Sequence, residues 1–149
     1  MMSRLAEGKC SSLLTWLKGV VRGMFLSKEH AARFWEVWQR LERRSEQEDG
    51  CLLYVLTAFL DVWREAQAVG VDQGQVLDWR PVVQMISGAS HGRRVLLNWA
   101  LGLAAVAEDE MDPVVLMILD EEHFCVAVEA LLIRRYGLRV LMPREGGVR

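Results

Sequence analysis

Proline is scarce in this chain, at three in 149 residues, and so is cysteine. A β-sandwich or barrel needs frequent turn punctuation, so few prolines and few turn clusters argue against an all-β fold. Cys10, Cys51 and Cys125 are odd in number and widely spaced. That spacing excludes a CxxC metal or redox pair, and it does not suit the dense, even cysteine framework of small secreted domains. Long uncharged runs are missing as well. The longest, residues 95–107, falls short of the roughly 20 residues that a bilayer-spanning helix needs. Residues 13–26 are apolar but interrupted by Lys18 and Arg22, whereas a secretory core is an unbroken apolar run ahead of small residues. The expectation is a chain with no membrane-spanning segment that works inside the cell, in the cytoplasm or alternatively the nucleus.

Charge of one sign is not in excess either. The net charge is −2, which provides no global basic surface for phosphate backbones, so nucleic acid is not expected as a partner. No GxGxxG, GxxxxGK[ST] or GxSxG pattern occurs, so neither a phosphate loop nor a nucleophile elbow is indicated. Asp120 and His123 stand three apart, enough for two ligands on one helix face, whereas a metal site needs three or four. Cys125 lies only two residues from His123, on a different side of a helix, and reads as a buried thiol. No enzyme, cofactor or metal is expected.

The chain does have apolar side chains at helical spacing. With 52% hydrophobic and 26% charged residues, 149 residues are enough for one domain with a real core. Leu13, Trp16, Leu17, Val20, Val21 and Met24 recur at three and four, forming a first stripe. Ser27 reads as an N-cap for a second helix carrying Ala31, Phe34, Trp35, Trp38 and Leu41. Leu52, Val55, Leu56, Phe59, Leu60 and Trp63 predict a third helix, with Gly70 beyond its end. Asp78 with Pro81, and Asp112 with Pro113, are cap-plus-proline starts. Residues 95–107 are apolar on nearly all sides, the mark of a central buried helix, with Leu96, Trp99, Leu103 and Val106 inside. Residues 114–119 suit a strand or a buried helix equally. A last helix from about Glu121 to Tyr136 ends at Gly137, with Arg134 and Arg135 in its final turn. The prediction is an all-α fold, a single globular bundle of six or seven helices around a hydrophobic central helix, spanning residues 1–149.

One stretch resembles a known family. Trp79-x-x-Val82-Val83, then Ser90-His91-Gly92-Arg93, then the apolar stretch 95–107 and Glu110-Met111, is similar to the centre of the B-cell-lymphoma (Bcl) apoptosis regulators, and especially to degenerate viral members. Leu56-x-x-x-Leu60-Asp61 stands where that family has its own death-motif helix. The chain departs from the pattern at Ser90-His91, where the family has Asn-Trp, and it has no later Gly-Gly-Trp. The resemblance implies a protein–protein interaction module whose surface groove binds an amphipathic partner helix. It implies that Arg93 meets a partner carboxylate, that Gly92 permits close approach, and that Leu56, Phe59, Trp63 and Val83 contribute to the groove. The alternative is a helical regulatory factor, or nucleic-acid-linked adaptor, using the arginine clusters at 40/43/44, 93/94 and 134/135/139.

Overall fold

The computed structural model describes residues 25–42, 44–104 and 111–142. The expected stripe at 13–24, together with Arg43, Val106 and Glu110, lies outside them. Among the described residues the protein is all-helical: α1 (Lys28–Arg40), α2 (Glu48–Ala58), α3 (Leu60–Ala68), α4 (Arg80–Ser87), α5 (His91–Leu103) and α6 (Glu121–Tyr136). Two 3-10 helices, Pro113–Ile118 and Leu138–Leu141, flank α6. No helix among these residues is long and apolar enough to cross a membrane.

The helix starts follow local chemistry. The Ser27 hydroxyl accepts from the His30 N–H at 3.0 Å, the Ser90 hydroxyl from Arg93 and the Asp120 carboxylate from His123, each satisfying a first-turn donor. Asp78 and Asp112 accept from the N–H two residues on, just ahead of Pro81 and Pro113. Gly137 closes α6 at φ +79°, a conformation that favours glycine. Helix ends are also served by arginines, near and far in the chain. The Arg134 guanidinium donates to the Leu103 carbonyl at 2.7 Å, and Arg44 donates to the carbonyls of Trp38 and Leu41 at the end of α1.

The centre of the bundle is not where sequence places it. Residues 50–58 of α2 are buried without interruption, and α2 packs against α1, α3, α5 and α6. Helix α5 buries Leu96, Trp99 and Leu103 as expected, with Trp99 Nε1 donating to the Ala127 carbonyl at 2.9 Å. It nevertheless exposes Arg94 and Asn98. It is a flank of the core, and α2 is the helix apolar all round.

The single helix expected through Leu52 and Trp63 is two helices. Phe59, at φ −119° and ψ 130°, is extended and separates α2 from α3. In a continuous helix the carbonyls of Thr57 and Ala58 would accept from residues 61 and 62. Here they accept from Arg33 of α1, at 2.9 and 3.3 Å. Residues 114–119, left open between helix and strand, lie mostly in the first 3-10 helix, which buries only Leu116.

Candidate functional site

The break at Phe59 turns its ring toward the surface, where α3 begins with Leu60 and Asp61. Arg93 reaches this point from the first turn of α5. Its Nη1 donates to the Asp61 carboxylate at 3.1 Å, and its guanidinium carbon lies 4.4 Å from the centroid of the Phe59 ring. The same ring stacks on His123, with centroids 4.5 Å apart. His123 Nδ1 in turn lies 2.7 Å from Asp120 at the start of α6. Asp61, Arg93, Phe59, His123 and Asp120 thus form one cluster drawn from three helix starts and the Phe59 break.

The electrostatics of the cluster follow from its contacts. Partial burial by itself would raise the Asp61 carboxyl. The hydrogen bond and positive charge of Arg93, helped by two backbone N–H groups, outweigh it and hold the group below the ordinary range. Asp120 is lowered chiefly by its bond from the His123 N–H, then by the His123 ring and the charge of Arg93. Arg93 therefore sits in the field of two carboxylates. The Asp61 side chain is 76% exposed, so the pair adds little to stability, about 1 kcal/mol or less. The Arg93 side chain itself is 23% exposed, so another carboxylate reaches the guanidinium by taking the place of the exposed Asp61.

Beside this cluster lies a surface hollow of 530 Å³. Leu116, Met117, Leu119, Phe124 and Cys125 line it, with Asp120 and Glu121 as its charged members. Asp120 belongs to both the hollow and the arginine cluster. Val114, Met117 and Ile118 of the adjoining 3-10 helix are more than half exposed. A larger recess of 760 Å³ lies along the loop from Gly70 to Arg80, where Asp78 and Arg80 pair with each other at 2.9 Å.

Of the residues singled out from sequence, the structure brings Phe59 and Arg93 together and places Gly92 at their edge. A Cβ on Gly92 would reach Leu119 only at 4.0 Å, so packing within the chain does not require glycine there. Leu56 and Trp63 need correction. They are 0% and 4% exposed and belong to the core, because α2 is the central helix and the break at Phe59 re-aims α3. Neither presents a surface to a partner. Val83 is half exposed on α4, and Trp79 just before α4 is also exposed.

Cys125 is half-buried rather than enclosed, and it faces the hollow. Burial first, and the charges of Glu121, Glu129 and Glu122 next, push its thiol up, the wrong direction for a nucleophile. Cys51 is fully buried, and its thiol is pushed up to about 12. Among the described residues no group of three or more histidine, cysteine or acidic side chains is placed to hold a metal ion. Sequence reasoning did not find Asp120, His123 and the hollow as parts of one site. The Asp120–His123 spacing was visible, but its partner Phe59 is far away in the chain. No family model, curated protein or solved structure matches this chain.

Proposed function

We propose that the protein is a non-enzymatic interaction module that receives an amphipathic partner helix on the face formed by Arg93 and the adjoining hollow. The observation that carries this reading is their adjacency: a partly exposed guanidinium, oriented by Phe59 and paired with the exposed Asp61, stands next to an apolar depression. An amphipathic helix offers the complementary surface, apolar anchors one turn apart and a carboxylate to meet the arginine. In the finer version of the reading the partner is a pro-apoptotic death-motif helix and the module regulates apoptosis in a host–virus setting. That version rests on the Gly92-Arg93 resemblance. In it Asp61 holds Arg93 until the partner's acid replaces it.

The arginine clusters favour this over a phosphate-binding face. Arg44, Arg94 and Arg134 donate to carbonyls of the chain itself, and Arg40 pairs with Asp72 at 3.3 Å.

Titration of the full chain with fluorescently labelled death-motif peptides tests the proposal. Wild type is expected to bind. Arg93→Ala should weaken binding about 10- to 100-fold, the worth of a hydrogen bond to a charged group, with an unchanged circular dichroism spectrum. No binding of wild type at high micromolar peptide would end the apoptosis reading. Equal affinity of wild type and variant would remove Arg93 from the site.

A further inference from the structure

Between His123 and Arg134, α6 carries one charged residue, Glu129, and that residue is completely buried. The opposite side of the helix is apolar where a solvated face is polar. Phe124, Val128 and Leu132 are half-buried there, and Leu131 is 43% exposed. With Glu121 and Arg135, both exposed, they recur at three and four. That spacing makes one stripe, on the side of α6 away from Val126, Ala130 and Ile133 in the core.

The ends of the stripe are opposite in charge. Glu121 stands at its start and Arg135 at its end, each seven residues from Val128. Acid in the first turn and base in the last suit the helix dipole by themselves. The apolar residues between them have no such explanation. Arg135 makes no ion pair among the described residues, and its guanidinium carbon lies 5.7 Å from the centroid of the Tyr136 ring.

Acid, apolar centre and base at equal spacing form a surface complementary to itself after a half-turn, as an isologous interface requires. Two copies laid antiparallel and crossing at Val128 bring Glu121 of each to Arg135 of the other. The Phe124 end of each stripe then meets the Leu132 end of its counterpart. Phe124 and Cys125 also line the hollow, so the second copy's leucines meet a depression rather than a flat face. The stripe extends about 21 Å along the helix. A bare helix pair of that length is small against the roughly 1,200 Å² of stable interfaces, and Met117, on the wall of the hollow and 74% exposed, enlarges it.

We propose that the protein forms a two-fold symmetric dimer through the outer face of α6, with the two helices antiparallel about Val128 and Glu121 of each copy paired with Arg135 of the other. The dimer covers the hollow, so a partner helix has to displace a second copy. That consequence rests on the docking reading above; the dimer itself does not.

Sedimentation velocity of the full chain across the micromolar range tests this. Wild type should pass from monomer to dimer as its concentration rises. Leu131→Glu, at an exposed position, should raise the dissociation constant about tenfold or more, by setting a charge against apolar surface. Arg135→Glu places like charges together at both ends of the pair and should raise it about fivefold. Adding Glu121→Arg to Arg135→Glu reverses both pairs and should restore the wild-type value. All these variants should keep the wild-type circular dichroism spectrum. A monomer at every concentration would overturn the proposal, and so would a dimer indifferent to Leu131→Glu and Arg135→Glu. Weakening by Arg135→Glu without rescue by the double change would overturn the antiparallel pairing. Peptide titration of Leu131→Glu, held monomeric, separates the two ideas. Peptide binding with no wild-type dimer leaves the docking reading and ends this one, and a dimer that responds as expected without peptide binding does the reverse.

Discussion

His30 shows most plainly what a single residue owes to its surroundings. It is wholly enclosed, with Nδ1 accepting from the Leu26 N–H at 3.1 Å and Nε2 positioned to donate to the Tyr54 carbonyl at 2.9 Å. These partners specify the neutral tautomer carrying its proton on Nε2. Burial holds the pKa down to about 3, against the opposing bond to Tyr54. The unfolded chain takes up this proton near pH 6.5, while the folded one resists it until about pH 3. Stability is therefore complete above about 6.5 and lost as the pH falls through that window, by about 2 kcal/mol at pH 5. Urea unfolding at pH 7.5 and pH 5 checks this: wild type should lose more between the two than His30→Gln, and equal losses would show that His30 is not the group responsible. In the sequence His30 is one histidine after a cap, because its burial depends on Tyr54, 24 residues away. Arg93 is similar. Its place in a helix start is legible from Gly92-Arg93, but its pairing with Asp61 and its seat on Phe59 are not.

At the scale of the helices, caps were readable and hierarchy was not. Ser27 and Gly137 bound their helices as the local pattern predicts, and Asp120 caps α6 by the same means, because a cap acts within one turn. The break at Phe59 has no local signal, neither glycine nor proline. It follows from Arg33, on another helix, taking the carbonyls that would have continued the ladder. Leu56 lies in the core rather than on a groove wall because α2 is packed against α1, α3, α5 and α6. Leu56→Ala should accordingly cost about 2–5 kcal/mol in denaturant unfolding, lost transfer energy plus a cavity. Val83→Ala, on exposed α4, should stay within about 0.5 kcal/mol. A similar small loss at Leu56 would show that α2 is not the centre. Residues 114–119 illustrate a third case. Their apolar content predicts burial, yet the 3-10 turn buries only Leu116 and turns the rest outward, which is why a hollow exists there at all.

For the whole molecule, one hydrophobic cluster runs from Phe34 in α1 to Leu141 in the last 3-10 helix, joining every helix between. Helices that share one core lose their packing together, so unfolding should be a single cooperative transition. Tryptophan fluorescence and far-ultraviolet circular dichroism should give coincident urea midpoints. A fluorescence change well ahead of the loss of helix would show that part of the bundle unfolds separately. The sequence by itself determined the helical class, most helix starts and stops, and the apolar faces, since periodicity and capping are set by neighbours within a turn or two. Tertiary structure alone decided which helix is central, where the third helix breaks, which carboxylate Arg93 meets and which apolar surface stays open. Each of these depends on residues 24 or more positions apart being brought together, and no local pattern encodes the result of that closure.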